Sequence, residues 1–168
     1  MDNRLVLSSL KMSDLPEVHA IHSDARLRSL RMAYRSPVSR RQAEMWLSAR
    51  LTRGSEGIYF AVREAEDGPC KGYVSLTDLD WVSRTAEVGI VLDTQGRGYG
   101  QEAIRKLMDR SYGSLQLRRL TARVVSHNMP ARRLFDKCGF HSEGILRRHY
   151  FDLGGYHDVY LFAHEMTQ

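Results

Sequence analysis

One stretch constrains the fold of this chain more than any other: an apolar run, three alternating glycines and then an amphipathic segment. The run at residues 88–92 predicts a buried strand. The glycines Gly96, Gly98 and Gly100 lack Cβ atoms, so the turn after the strand can adopt positive φ and approach a bulky group closely. A helix is predicted next, because apolar side chains follow at helical spacing: Tyr99, Ala103, Ile104, Leu107 and Met108.

The turn therefore opens into the N-terminus of a helix, where backbone N–H groups are unsatisfied and carry partial positive charge. This arrangement favours a phosphate or pyrophosphate. A dinucleotide fingerprint does not fit, since its glycines are spaced differently and residues 120–125 contain no carboxylate for a ribose. A P-loop does not fit either, because Gly100 is followed by Gln101 rather than lysine. A turn with small residues for packing remains the alternative.

Composition narrows the class of protein. A chain of 168 residues that is 42 % hydrophobic and 27 % charged predicts one soluble globular domain over residues 1–168. There is no signal peptide pattern or apolar run of membrane length, and Cys70 and Cys138 predict no disulfide framework, so a cytoplasmic protein without membrane contact is expected. The histidines lack metal-ligand spacing, so no metal is expected.

The net charge of +5 suits an acidic ligand or non-specific contact with nucleic acid. The arginines are spread through the chain, without a basic tail, a zinc pattern or an aromatic RNA-binding signature. Specific binding of nucleic acid is therefore not expected.

Periodicity predicts the element order β-α-α-β-β-β-α-β-α-β-β, a mixed α/β (α+β) fold with about seven strands and four helices. Residues 27–38 lack clear periodicity and are interpreted as a loop with one helical turn. The second helix is predicted to bury Ala43, Met45, Trp46, Leu47 and Leu51. The predicted helices span residues 13–24, 39–52, 97–112 and 128–138, and the strands 4–10, 57–62, 70–79, 85–92, 119–126, 140–150 and 156–166.

This order, with four local patterns, resembles the RimJ/RimL-like branch of the GCN5-related N-acetyltransferases (GNAT). Residues 95–100, QGRGYG, fit the family's pyrophosphate loop, Gln/Arg-x-x-Gly-x-Gly/Ala. The other patterns are AEVGI at 86–90, Asn128 before a helix that closes in CGF, and EG at 143–144 leading to GYHD at 155–158. The resemblance implies a single GNAT-like domain with a mostly antiparallel sheet. It also implies acetyl-CoA as cosubstrate and a splayed parallel pair formed by the strands at 85–92 and 119–126.

The resemblance also implies which residues bind acetyl-CoA. Backbone groups of Ile90, Val91 and Leu92 are expected to pair with pantetheine like an added strand. The amide of Asn128 is expected to bind pantetheine as well, although asparagine is also a preferred helix N-cap, and the two roles are compatible. The pyrophosphate is expected on the loop that comprises Gln95, Gly96, Arg97, Gly98, Tyr99 and Gly100.

For acetyl transfer, the amine must lose a proton and the leaving thiolate must be stabilised. Glu87 is the candidate general base, acting through water; a solvent-facing or arginine-paired glutamate is the alternative reading. Two hydroxyls common among similar enzymes are missing, because Ala131 and Phe135 occupy their positions. Tyr150 stands where Rim-type enzymes carry a catalytic glutamate, so Tyr150, His149 or water is expected to handle the proton.

The implied acceptor is a primary amine: a protein or peptide N-terminus, or a small amine such as an amino sugar, amino-acid derivative or polyamine. Trp46, Tyr34 and Trp81 are candidates for lining its pocket, with core packing as the alternative. The eight arginines in residues 26–53 would repel a polycation and favour an acidic peptide or a nucleotide-linked amino sugar, unless they only cover a solvated face. A CoA-binding sensor without catalysis is the alternative function, and a homodimer is compatible with the sequence.

Overall fold

The helices and strands follow the predicted order, with one additional helix. A computed structural model describes residues 4–32, 37–52, 57–93 and 97–166. A short 3-10 turn, Met12–Asp14, precedes the first helix. The α-helices are α1 (Leu15–Ser23), α2 (Ala25–Leu30), α3 (Arg40–Leu51), α4 (Tyr99–Tyr112) and α5 (Met129–Lys137). The strands are β1 (Val6–Ser9), β2 (Gly57–Arg63), β3 (Gly72–Asp80), β4 (Thr85–Leu92), β5 (Arg119–Val125), β6 (His141–Asp152) and β7 (Gly155–Glu165).

Helix α2 lies where the sequence predicts a loop with one helical turn. Its six residues are too few to show a periodic pattern, and its start is fixed by a cap instead. The carboxylate of Asp24 accepts hydrogen bonds from the backbone N–H groups of Arg26 and Leu27. This is the usual role of aspartate at a helix N-cap. The structure thus has five α-helices among its described residues, against about four predicted.

The seven strands form one sheet in the order β1-β2-β3-β4-β5-β7-β6. Every neighbouring pair is antiparallel except β4 and β5, which are parallel. The parallel ladder joins only Thr85–Glu87 to Arg119–Thr121. From Val88 onward, β4 has no ladder partner on its β5 side among the described residues, so the two strands diverge. This confirms the predicted splayed pair in a mostly antiparallel sheet.

The sheet separates two apolar clusters, because alternate residues of a strand point to opposite faces. On one face, α4 and α5 contribute Ile104, Leu107 and Phe135, which pack on Val62 and Val74. The other face carries α1, α2 and α3, which supply Val18, Leu27, Ala43 and Leu47 to a cluster with Ala61 and Tyr73. The candidate site lies where the diverging strands give access to both faces.

Two residues of the predicted apolar stripe on α3 are not buried. Met45 is 63 % exposed and Leu51 is 41 % exposed, so the prediction was wrong for both. The buried positions are Ala43 and Leu47, four residues apart on one face of the helix, and Trp46 packs partly against the same cluster. Within the described ranges, no helix has the length and apolar character needed to cross a membrane.

Candidate active site

The turn between β4 and α4 has the geometry that its glycines predict. Gly98 is the N-cap of α4 and has a φ of 76°, in the left-handed region that favours glycine. No side chain caps this helix end, so the first N–H groups of α4 are available to a ligand. Arg97 is exposed beside the turn. Gln95 and Gly96, which the sequence assigns to the same loop, lie outside the described residues.

A cavity of about 470 Å³ lies against this helix end, and we call it the glycine cavity. Gly98, Tyr99 and Gly100 line it, while the side chain of Tyr99 is buried and its hydroxyl donates to Glu64. Two cations on α5, Arg133 and Lys137, line the opposite side. A helix N-terminus facing two cations is a favourable environment for a multiply charged phosphate group. The remaining lining residues include Ile90, Val91 and Leu92 of β4.

A second cavity, also of about 470 Å³, lies on the other side of the diverging strands. We call it the aromatic cavity, because Trp46, Tyr59 and Tyr73 line it together with Tyr150. Trp46 thus takes the predicted position, whereas Trp81 is 57 % exposed on the β3–β4 turn and lies outside the lining set; Tyr34 is outside the described residues. The two cavities meet at a junction formed by the residues that line both: Leu30, Arg31, Ile90, Val91, Asn128 and Ala131.

Glu87 lines the aromatic cavity and occupies the last position of β4 that pairs with β5. Its Oε2 atom lies 2.8 Å from Nε of Arg123, and its side chain is 22 % exposed. Arg123 also lies 3.7 Å from Asp78. The alternative reading of Glu87, an arginine-paired glutamate, is therefore realised, and the carboxylate still lines the cavity.

Asn128 is the N-cap of α5, as its alternative reading predicts. Its Oδ1 atom accepts a hydrogen bond from the backbone N–H of Ala131 at 3.1 Å. Its Nδ2 atom donates to the carbonyl of Leu30 at 2.9 Å, at the end of α2. An amide nitrogen has two N–H groups, so one remains for a ligand at the junction.

Two further side chains bind the C-terminal carbonyls of α2. His127 donates through Nε2 to the carbonyl of Ser29 at 2.6 Å, and the Tyr150 hydroxyl lies 3.5 Å from the carbonyl of Arg31. The last carbonyls of a helix lack partners within the helix, so these contacts satisfy groups that would otherwise be open. They fix the end of α2 over the junction, which explains how Arg31 comes to line both cavities.

A buried hydrogen-bonded chain lies behind the aromatic cavity. Arg31 donates through Nη2 to the Tyr73 hydroxyl at 2.7 Å, and the hydroxyl lies 2.9 Å from Nε2 of His22. Burial, and after it the charges of Arg31, Arg50 and His19, lower the pKa of His22 to about 3. His22 is therefore neutral, and its Nε2 atom shares a hydrogen bond with the tyrosine hydroxyl.

Sequence reasoning missed Arg31, Tyr59 and Tyr73 as site residues. No local motif marks them, because the strand pairing and the added helix α2 bring them together. The available signal was the alternation in β2 and β3, which places Tyr59 and Ala61 on one face, opposite Ser75 and Tyr73. Cys138 is a buried free thiol in the cluster under α4 and α5.

Comparisons with known proteins agree with this geometry. Residues 4–141 match the family described as the acetyltransferase (GNAT) domain. A spermidine N(1)-acetyltransferase of Vibrio cholerae is 27 % identical over 161 residues, covering 95 % of this chain and 91 % of the relative. A putative ribosomal N-acetyltransferase of Bacillus subtilis, YdaF, is 32 % identical over 58 % of this chain and 54 % of its own length.

Among solved structures, a crystal structure of spermidine N-acetyltransferase from Vibrio cholerae in complex with CoA and spermine superimposes with a TM-score of 0.88. The two chains are 26 % identical, and the match covers 98 % of this chain and 96 % of that one. The fold of this chain is thus one that has been solved with CoA bound.

Proposed function

The chain belongs to the acetyltransferase (GNAT) domain family and is an acetyl-CoA-dependent N-acetyltransferase; we propose that its acceptor is a small primary amine bound in the aromatic cavity. One observation carries this proposal. Two cavities of about 470 Å³ each, one lined by a helix N-terminus and one by aromatic side chains, meet at a junction of six shared residues. Cavities of this size suit small ligands. Their junction is where an amine and a thioester would be brought together.

The glycine cavity is the proposed site of acetyl-CoA. The N–H groups at the start of α4, from Gly98 onward, would hold the pyrophosphate, with Arg97, Arg133 and Lys137 supplying positive charge. The unpaired edge of β4 at Ile90, Val91 and Leu92 would accept pantetheine as an added strand, as in other cases of strand addition. The second N–H of the Asn128 amide would bind pantetheine at the junction, while its first keeps the bond to α2.

The proposed reaction is direct transfer. The amine nitrogen attacks the thioester carbonyl, and the proton it loses passes through water to Glu87. The bond between the carbonyl carbon and sulfur then breaks, and the thiolate takes a proton from the Tyr150 hydroxyl. Alignment of the two reactants at the junction supplies much of the acceleration. Tyr150 is the proposed acid because Ala131 and Phe135 carry no hydroxyl, and the Tyr73 hydroxyl is held between Arg31 and the buried His22. The contact of the Tyr150 hydroxyl with the Arg31 carbonyl is long, at 3.5 Å, and would be exchanged for the thiolate.

The relatives support the proposed small amine and also a second class of acceptor, a peptide amine. The match to spermidine acetyltransferases over nearly the whole chain favours a polyamine. The resemblance to RimJ/RimL-like enzymes, together with the shorter match to a protein described as a ribosomal N-acetyltransferase, favours a peptide amine. In both classes the reacting group is a primary amine.

The test measures CoA thiol release from acetyl-CoA with a panel of primary amines. The panel comprises polyamines, amino acids, amino sugars and short peptides with free N-termini, and product mass identifies the acetylated nitrogen. Turnover of a small amine supports the proposal. Turnover confined to peptides would contradict the small acceptor. Tight CoA binding without turnover of any amine would instead support a CoA-binding protein that has lost catalysis.

A further inference from the structure

The residues of the aromatic cavity carry an inference about the charge of the acceptor, which rests on the proposed function. We propose that the acceptor carries an anionic group near its amine, and that Arg31 binds this group and determines specificity. The chemistry shared by the candidate ligands is a carboxylate or phosphate placed a few bonds from a primary amine.

The guanidinium of Arg31 is incompletely satisfied. Its Nη2 atom donates to the Tyr73 hydroxyl, whereas its Nη1 atom is shielded from solvent and has no hydrogen-bond acceptor among the described residues. Within the same residues, Arg31 forms no ion pair with a carboxylate. A guanidinium group donates five hydrogen bonds and matches the paired oxygens of carboxylate and phosphate. An acceptor anion at the junction would supply the oxygens that Arg31 lacks.

The net charge of the wall of the aromatic cavity also favours an anionic acceptor. Among the described residues that line the aromatic cavity, Glu87 supplies the carboxylate and Arg31 and Arg123 supply the cations. Glu87 is paired with Arg123 at 2.8 Å, so the charge of that pair cancels. Arg31 is left as the uncompensated charge of the wall.

The rings of Trp46, Tyr59 and Tyr73 offer little to a second ammonium group, because arginines of this chain already contact them. The guanidinium carbon of Arg50 lies 4.4 Å from the centre of the Trp46 ring and 5.3 Å from that of Tyr59. Arg31 lies 5.8 Å from the centre of the Tyr73 ring. The additional ammonium groups of a polyamine would meet these like charges at the places where cation–π contact would otherwise attract them.

Burial is the main cause of the lowered pKa of His22, and the charges of Arg31 and Arg50 behind the cavity add to it. The position of Arg31 adds a distance restraint. Because Arg31 lines both cavities, an anion bound to it lies close to the junction where the amine reacts. Amino acids, acidic peptides and phosphorylated amino sugars all place an anion near a primary amine.

The test compares pairs of acceptors in which one member carries an anionic group near its amine and the other does not. Steady-state kinetics are measured with the wild-type protein. One pair is an amino acid and its carboxamide; the other is a phosphorylated amino sugar and its unphosphorylated form. We expect kcat/KM to favour the anionic member by about 10- to 100-fold, mostly through KM, which is the range of one charge-assisted contact. The pair with the larger ratio identifies carboxylate or phosphate as the group bound.

Two variants test whether Arg31 causes the preference for the anionic acceptor. Arg31→Gln is expected to abolish the preference, by lowering kcat/KM for the anionic member towards that for the neutral member. Arg41→Gln removes the same charge from an exposed position of α3 and should retain the preference. If Arg31→Gln did not fold, the wild-type ratios would still decide the matter.

Three outcomes would overturn the inference: equal kcat/KM within both pairs, spermidine as the best acceptor, or an anion preference that survives Arg31→Gln. In each of them amines are still acetylated, so the proposed function stands. Absence of turnover with every amine, charged or neutral, would instead contradict the proposed function.

Discussion

The glycine cavity and the aromatic cavity have similar volumes and share a junction, yet they are built from different parts of the chain. The glycine cavity takes its free backbone groups from two consecutive elements, the end of β4 and the start of α4, while α2 and α5 supply the rest of its lining. The aromatic cavity takes side chains from α3, from the end of α2, from α5 and from strands β2 to β6. A cosubstrate shared across a family can be bound by backbone geometry, whereas an acceptor is distinguished by side chains that vary independently.

Backbone strain at Gly98 should weaken ligand binding in the glycine cavity and leave binding in the aromatic cavity unchanged. Gly98→Val places a β-branched side chain at a φ of 76°, with its Cβ 3.3 Å from the Arg4 guanidinium. Strain of about 1–3 kcal/mol, added to the loss of N–H contacts, should weaken CoA binding by about 100-fold or more. Calorimetric titration with CoA measures this loss, while KM for the amine at saturating acetyl-CoA should change little.

Gly154→Val is the matched control for this variant. Gly154 has a φ of 78°, and an added Cβ would have nothing within 4 Å. It introduces similar backbone strain in the β6–β7 turn, away from both cavities. An equal loss of CoA affinity in the two variants would show that the strain acts through overall stability. It would contradict the assignment of the glycine cavity as the CoA site.

The same contrast explains how much could be predicted from the sequence. The strand at residues 85–92 was predicted with its observed bounds, and the positive φ of Gly98 follows from a local pattern of glycines. Helix α2 was missed because six residues carry no period, and its start depends on the Asp24 cap. Tyr59 and Tyr73 were missed because only the β2–β3 register brings them together. A local backbone feature leaves a pattern that can be recognised in a single sequence. A group of side chains brought together from distant segments leaves no such pattern.

The next prediction tests chemistry on the aromatic side. Glu87→Gln keeps the size of the side chain but cannot take up a proton, so kcat/KM should fall by about 100- to 1000-fold near neutral pH. The deficit should shrink towards about pH 10, where a primary amine is already deprotonated. CoA affinity should not change, since the glycine cavity lies across the junction. The pH dependence of kcat/KM measures both effects.

Glu143→Gln is the control for this experiment. Glu143 forms ion pairs with Arg119 and His141 and lies outside the residues that line the two cavities. Its loss should leave kcat/KM close to that of the wild-type protein. A wild-type pH profile for Glu87→Gln would remove Glu87 from the role of base.

A smaller effect is expected at Tyr150, which faces the same cavity. Tyr150→Phe removes the hydroxyl and keeps the ring, so kcat should fall by about 10- to 100-fold, the range for a hydrogen bond to a developing thiolate. Acetyl-CoA analogues with a better thiolate leaving group should recover part of the loss, because they depend less on an acid. Tyr59→Phe, on the same cavity wall, is the comparison variant. Equal losses in both would show that Tyr150 has no special role.

The smallest effect concerns stability rather than rate. His22 is completely buried, and its pKa is lowered to about 3. Below about pH 6.5 the unfolded chain binds a proton on His22 that the folded chain does not, so stability falls as pH falls over that window. The contribution of His22 should be a loss of about 2 kcal/mol between pH 6.5 and pH 5. His22→Gln, which can still bind the Tyr73 hydroxyl, should remove this loss, as measured by urea unfolding at several pH values.

The exposed His141→Gln serves as the comparison variant, in which a surface histidine is replaced in the same way. Trp46 reports on the aromatic side, because its ring centre lies 4.6 Å from that of His22; a Trp81→Phe background removes the other tryptophan. As pH falls, Trp46 fluorescence should change before CoA affinity is lost if the aromatic side opens first. Simultaneous loss of both signals would show that the α1–α3 face and the α4–α5 face unfold as one unit. The two cavities would then differ in the ligands that they bind and not in their stability.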